Sequence, residues 1–284
     1  MSPEVFAAER SHLIGVAYRL LGSVAEAEDA VQEAFLRARD VADDEVASPR
    51  AYLATVVTRL CLDTLRSARV RREKYVGPWL PEPVGESMVV EPRDPESISM
   101  ALLRVLESLS PLERAVFVLH EAFDYENEEI AIVLGKETAN VRQLLHRARE
   151  HVRANRPRFA PTREDHERML IAFATAAGQG DVAGLEKLLA SDVALRTDGG
   201  GRVHAARNVI HGANAAARGL IGVTRKTVAT PGVLTYELRT INALPTLVWS
   251  IDGVVVGLVS IETDGALIHA VDVVVNPEKL AHVA

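Results

Sequence analysis

The stretch from Asn127 to Arg153, NEEIAIVLGKETANVRQLLHRAREHVR, constrains this chain more than any other, because its apolar residues keep helical spacing on both sides of one glycine. Ile130, Ala131, Val133 and Leu134 give a first helix its apolar face. Gly135 then supplies the left-handed C-cap that a residue without a Cβ adopts at no steric cost. The spacing predicts a second helix from Thr138, with Val141, Leu144, Leu145 and Ala148 turned inward and Arg142, Gln143, His146, Arg147 and Arg149 turned outward. Two short helices about a tight turn, the second densely basic, read as a helix-turn-helix. Forked Arg and Gln donors on that outer face suit base edges and phosphates in a major groove. The competing reading is a helical hairpin whose charged face is only solvated. Upstream, Ser110-Pro111-Leu112-Glu113 is a capping box with proline at the first helical position, launching an apolar helix through Val116, Phe117 and Leu119.

A formal net charge of -7 over 284 residues excludes a uniformly basic surface, so any DNA contact must come from local patches. One such patch lies on the helix that Ser48-Pro49 caps. It carries Leu53, Val56, Val57 and Leu60 inward and runs out into Arg59, Arg66, Arg69, Arg71, Arg72 and Lys74, with Tyr52 on the same helix, a composition fitted to tracking a phosphate backbone. The preceding helix has the opposite character. Ser23-Val24-Ala25-Glu26 opens it as a second capping box, Ala27, Val31, Ala34, Phe35 and Ala38 form its apolar stripe, and Glu26, Asp29 and Glu33 face outward. With Asp40, Asp43, Asp44 and Glu45 they make an acidic surface, either merely solvated or suited to a basic protein partner. Cys61, the one cysteine, forms no internal disulfide and sits among Val57, Leu60 and Leu65 as a buried helix position. The N-terminal MSPEVFAAER lacks the basic and apolar regions of a signal peptide, and the apolar run Val254 to Ile261 is too short to span a bilayer, so a cytoplasmic protein is expected.

The blocks GSVAEAEDAVQEAFLRA, SPRAYLATVVTRLCLDTLRSARVRRE and LSPLERAVFVLHEAF, followed by EEIAIVLGKETANVRQLLHRARE, resemble in order and spacing regions two and four of a bacterial RNA polymerase sigma factor of the extracytoplasmic-function type. The resemblance covers roughly residues 1 to 156. It implies a subunit that binds core RNA polymerase and reads two promoter elements. Asp29, Gln32 and Glu33 would meet the clamp helices of the largest polymerase subunit. Tyr52, Arg59, Arg66, Arg69, Arg71 and Arg72 would open and hold the minus-10 element, and Thr138, Asn140, Arg142, Gln143, His146, Arg147 and Arg149 would read the minus-35 element. Two positions depart from the family pattern: Lys136 stands where an apolar residue is usual and Arg59 where Asn is common, and both bear on promoter preference.

After Pro157 and Pro161 the composition shifts. Helices are expected over 166–177, 181–190 and 212–221, and strand-like alternation from Val228 to Val275. Ile251-Asp252-Gly253-Val254 and Thr263-Asp264-Gly265-Ala266 read as two-residue hairpin turns joining three consecutive antiparallel strands. Helices followed by a strand meander resemble the SnoaL-like branch of the NTF2-like fold, a curved sheet around a pocket. The expected architecture is therefore multidomain: an all-α sigma region 2 bundle over 1–76, a proline-rich linker over 77–96, an all-α region 4 helix-turn-helix over 97–157, and an α+β NTF2-like domain over 164–284. The linker's Trp79-Leu80-Pro81-Glu82-Pro83 is odd for a spacer, since tryptophan beside leucine wants a surface to bury on. Together with the DGGGR block at 198–202 and NPEKL at 276–280 it resembles the sigma subgroup with a fused C-terminal domain. That likeness implies intramolecular regulation, in which Trp79 and Leu80 meet Asp198 and Arg202 or Asn276, Pro277, Lys279 and Leu280.

His204, Asp252, His269 and Asp272 are the candidate acid/base groups of this domain, but they are single polar positions without a convergent partner, and no metal-ligand spacing, phosphate loop or nucleophile elbow appears. No catalysis, metal or cofactor is expected; the pocket leaves room for a small ligand. The alternative is a stand-alone helix-turn-helix regulator with a ligand-binding or enzymatic C-terminal pocket.

Overall fold

Four serines, Ser2, Ser23, Ser48 and Ser110, each place a hydroxyl where the N–H three residues on can donate to it, and these caps start the main helices of the first half. The structure, a computed structural model, describes residues 1–41, 46, 48–72, 75–85, 95–155, 159 and 161–283, with the backbone alone for 68–72, 95 and 96. It divides into two units, Met1–Glu73 with Ser87–Arg156, and Lys74–Glu86 with Pro157–Ala284. The segment of the expected linker that carries Trp79 and Leu80 thus belongs with the C-terminal unit.

In the first unit α1 (Pro3–Leu21), α2 (Val24–Ala38) and α3 (Pro49–Arg72) pack around Leu13, Val16, Leu20, Val31, Leu53 and Val57. Cys61 is buried among them, and that burial pushes its thiol well above the ordinary range, leaving it protonated and inert. A 3-10 turn over Pro95–Ile98 leads into α4 (Met100–Leu106) and α5 (Pro111–Phe117). The Ser110–Glu113 capping box is complete at α5, which continues through a π-helical turn over Val118–Ala122. Then come α6 (Asn127–Leu134) and α7 (Thr138–Asn155), with Gly135 between them at φ 61°. Arg114 ties the two helical groups of this unit together. Its guanidinium is 2% exposed and donates twice to the Arg19 carbonyl of α1, at 3.1 and 3.0 Å, while lying 2.5 Å from the Glu107 carboxylate. Arg19 in turn donates to Ser97 Oγ at 3.0 Å.

The second unit holds α8 (Arg163–Gln179), α9 (Val182–Leu188), β1 (Leu189–Asp198), β2 (Ile210–His211), α10 (Ala213–Val228), β3 (Leu234–Ile241), β4 (Leu244–Ile251), β5 (Val254–Thr263), β6 (Ile268–Val274) and α11 (Pro277–Leu280). The sheet order is β2-β1-β6-β5-β4-β3, with β1 and β6 parallel and the other neighbours antiparallel. Alternation along the strands buries both faces. Trp249, Val259 and Val273 pack with Phe173 and Leu220 on the helix side, while Val248, Leu258 and Val274 pack with Leu80, Leu280 and Val283 on the other.

Two expectations for this half change and one holds. The helix over 212–221 runs on to Val228, so the strand meander begins at Leu234 rather than at Val228, with β1 and β2 already laid down before α10. The Asp252-Gly253 turn has two residues, with φ of 51° and 81°, as a primed turn requires. The second expected turn is longer: Thr263 pairs with Ile268, and in the four-residue loop between them the Asp264 carboxylate accepts the N–H groups of Ala266 and Leu267. A further two-residue turn, Asn242-Ala243 at φ 50° and 64°, joins β3 to β4 without any glycine to announce it.

Candidate functional site

The outer face of α7 is built by its inner one. Val141, Leu144, Leu145 and Ala148 are buried, which fixes the rotation of the helix and leaves Asn140, Arg142, Gln143, His146, Arg147 and Arg149 exposed, with Thr138 half-buried at its start. Each of the three arginines is held by an acid from elsewhere in the same module. Arg142 meets Glu128 of α6 at 3.0 Å, Arg147 meets Glu113 of α5 at 3.5 Å, and Arg149 meets Glu121 of the π turn at 2.6 Å. His146 lies 3.6 Å from Glu150 on its own helix. Exposed pairs of this kind are worth about 0–1 kcal/mol, whereas a bidentate contact to a base contributes about 1–3 kcal/mol of discrimination. The acids therefore orient the arginines without withholding them from a duplex.

On α3, Tyr52 is half-buried, Arg66 pairs with Asp63 at 2.8 Å, and Arg59 reaches across to donate to the Val133 carbonyl of α6 at 3.1 Å. The side chains of Arg69, Arg71 and Arg72 lie outside the described residues, as do Asp43, Asp44 and Glu45 of the expected acidic surface. On α2, Asp29 and Gln32 are exposed and Glu33 is half-buried with Arg37 on it at 2.7 Å. Beside them stands Leu36, 48% exposed.

A second constellation lies wholly within the C-terminal unit. Asp198, at the end of β1, is 0% exposed, and four groups converge on its carboxylate. Oδ2 accepts from Lys279 Nζ at 2.7 Å and from the Leu80 N–H at 2.8 Å; Oδ1 accepts from the Tyr75 hydroxyl at 2.6 Å and from the Gly200 N–H at 3.1 Å. Lys279 also donates to the Leu80 carbonyl and lies over the Trp79 ring, 4.2 Å from its centroid, so one ammonium holds both neighbours of the linker. Asn276 caps α11 through the Glu278 N–H and donates to the Tyr75 hydroxyl at 3.0 Å. Burial, then the hydrogen bond to Asp198 and its charge, push the Tyr75 hydroxyl above its ordinary range, so it stays a donor.

Local chain geometry makes this possible. Gly200 sits at φ 59°, and a Cβ there would fall 2.4 Å from the Asn276 side-chain nitrogen. Downstream, Leu80 is fully buried, and Val84 donates its N–H to Asn242 Oδ1 and accepts from the Asn242 N–H. Pro277 occupies the first turn of α11, and Leu280 packs beside Leu80. Arg202 takes a different place from the one expected: it pairs with the exposed Glu278 at 2.6 Å. Glu82 of the odd linker block lies 3.5 Å from His282, while Tyr75 and Asn242 carry no local sequence sign of their roles, since each works through a partner at least 123 residues away.

The acid/base candidates are spread over separate duties. Asp252 accepts from the Val233 N–H, His269 lies 3.0 Å from Asp264, Asp272 lies 3.3 Å from Arg196, and His204 is exposed. Among the described residues no group of three or more His, Cys, Asp or Glu side chains could hold a metal ion, and no helix is long and apolar enough to cross a membrane.

Residues 5–71 match the family model for Sigma-70 region 2, and residues 99–152 match that for Sigma-70 region 4. The chain is 41% identical to the ECF RNA polymerase sigma factor SigJ of Mycobacterium tuberculosis over 80% of its own length and 74% of that protein. It is 36% identical to the probable ECF RNA polymerase sigma factor SigI of the same species, over 67% and 68%. The crystal structure of M. tuberculosis SigJ superposes with a TM-score of 0.76 at 33% identity, covering 99% of each chain.

Proposed function

We propose, because this chain belongs to the extracytoplasmic-function RNA polymerase sigma factors, a division of labour among its faces. It directs promoter-specific initiation by core RNA polymerase, and works in the cytoplasm where that enzyme is. The exposed row Arg142, Gln143, His146 and Arg147, with Thr138, Asn140 and Arg149 beside it, reads the minus-35 element. Tyr52, Arg59, Arg66 and the arginines at 69, 71 and 72 engage the minus-10 element. Asp29, Gln32 and Glu33 meet the clamp helices of the largest subunit, with exposed Leu36 adding an apolar contact to their charge.

The C-terminal domain acts as a regulator without catalysis. It grips the linker through Asp198, Lys279 and Asn276, and so limits how far the segment between regions two and four can extend. The observation that carries the DNA-reading part is the orientation of α7, whose buried stripe turns the expected reading residues to solvent together. Run-off transcription with reconstituted polymerase tests it. Arg142→Ala and Arg147→Ala should lower promoter-dependent transcription while leaving recruitment to core polymerase intact. Unchanged transcription in both variants would move the reading surface elsewhere.

A further inference from the structure

On the helix side of the C-terminal sheet, α10 lies between two cavities. One, of ≈ 330 Å³, is walled by Phe173, Leu220, Tyr236 and Val259. The other, of ≈ 480 Å³, is rimmed by His204, Arg218 and Lys226. Both share Val223, Thr227, Trp249 and Val273, so one floor serves the two. Each volume falls in the range of about 300–1,000 Å³ usual for small-molecule sites.

Helical spacing divides the chemistry between them. Arg218, Gly222 and Lys226 recur four residues apart and face the second cavity, while Leu220 and Thr224 face the first. Gly222 leaves open space where its Cβ would stand, with a cation one turn before it and one turn after. No carboxylate among the described residues lines either cavity. Among the described residues neither cation has an acidic partner, and Arg218 donates only to the Asn214 amide oxygen, at 3.0 Å. In a chain of net charge -7 that is a local excess of positive charge beside an apolar chamber. The floor is equally specific. Gly257 lies under the indole of Trp249, where a Cβ would fall 2.2 Å from Cζ2, so its absence lets the ring lie flat across β5.

We propose that these joined cavities bind an amphipathic organic anion. Its apolar body rests on Trp249 and Phe173, and its carboxylate lies over Gly222 between Arg218 and Lys226. A carboxylate accepts two parallel bonds from a guanidinium, and burying the apolar body adds the hydrophobic term that an exposed cation alone would not supply. Thr197 and Val275 line the second cavity, and each is the immediate neighbour of a residue that holds the linker, Asp198 and Asn276. A ligand there borders the strand ends that carry the anchor.

Calorimetric titration of the full chain with decanoate, decanol and decyltrimethylammonium tests the site. Decanoate should bind at least ten-fold more tightly than decyltrimethylammonium, with decanol between them. Arg218→Glu combined with Lys226→Glu alters only exposed positions, and should weaken decanoate at least ten-fold while sparing decanol. Thr227→Trp, with its fold checked by circular dichroism, should abolish binding of both by filling the shared wall. Absence of decanoate binding, equal affinity for the anion and the cation, or unchanged decanoate affinity in the double charge reversal would overturn the proposal.

Discussion

The basic helix α7 and the linker anchor around Asp198 both rest on charged side chains, in opposite surroundings. The α7 arginines are exposed and lie on acids that water screens, so each pair is weak. Asp198 is fully buried, and its one ammonium, one hydroxyl and two backbone donors cannot be replaced by water without opening the fold. Charge on the first surface is available to a partner; charge in the second fixes the protein's own chain.

The largest effect should follow from breaking the anchor. Asp198→Ala takes the carboxylate away from the buried Lys279 ammonium, and removing one partner of a buried pair costs about 3–5 kcal/mol. Urea denaturation of the full chain should show that loss in the transition of the C-terminal unit, together with a red shift of Trp79 fluorescence as the linker leaves its site. A loss below about 1 kcal/mol, the level of an exposed pair, would erase the contrast with α7. Arg142→Ala comes next. It should weaken promoter binding by the polymerase complex by about 1–3 kcal/mol where the contact is to a base, and leave the unfolding free energy nearly unchanged.

How much of this was legible in the chain depends on the reach of each interaction. The helix-turn-helix shows in sequence because three local signals agree: the apolar period, Gly135 and the Ser110–Glu113 capping box. Of the anchor blocks, the one around 79 stands out as an odd composition for a spacer, whereas those around 198 and 276 come in only through the resemblance to the fused-domain subgroup. Tyr75 and Asn242 were not found, because a tyrosine after a basic helix and an asparagine in a turn have no periodicity to betray partners on distant elements. The same holds for Arg114, which looks like an ordinary surface cation of α5 until the Arg19 carbonyl appears beside it. The expected helix stops short of the full α10 because Gly222, Val223, Thr224, Thr227 and Val228 are poor helix formers.

Acid should weaken the helical unit through one histidine. His12 in α1, half-buried beside Phe123 and Tyr125, is pulled down to about 4 by burial first and by Arg50 and Arg19 second. A base held below its unfolded value of 6.5 takes up its proton more readily in the unfolded chain. Its stabilising contribution is thus complete above pH 6.5 and declines as pH falls toward 4. Denaturation midpoints of the helical unit should drop across that window, and drop less in His12→Gln. An identical pH profile in the variant would remove His12 from the account. The smallest expected effect is that of Glu128→Gln, which frees Arg142 from an exposed pair worth about 0–1 kcal/mol. Promoter affinity should rise by a few-fold at most, with stability unaltered; a large loss of affinity would mean that Glu128 positions Arg142 rather than merely resting against it.

The exposed face of α7 is expected to read DNA only as part of a polymerase complex. Permanganate footprinting measures it most directly, on a promoter recovered by selecting DNA fragments that the reconstituted enzyme transcribes. With core polymerase the full chain should expose reactive thymines in the minus-10 region, Arg142→Ala combined with Arg147→Ala should abolish them, and the isolated chain should bind the same duplex weakly at physiological salt. Tight, sequence-specific binding by the chain alone, or promoter opening that survives the double substitution, would contradict it.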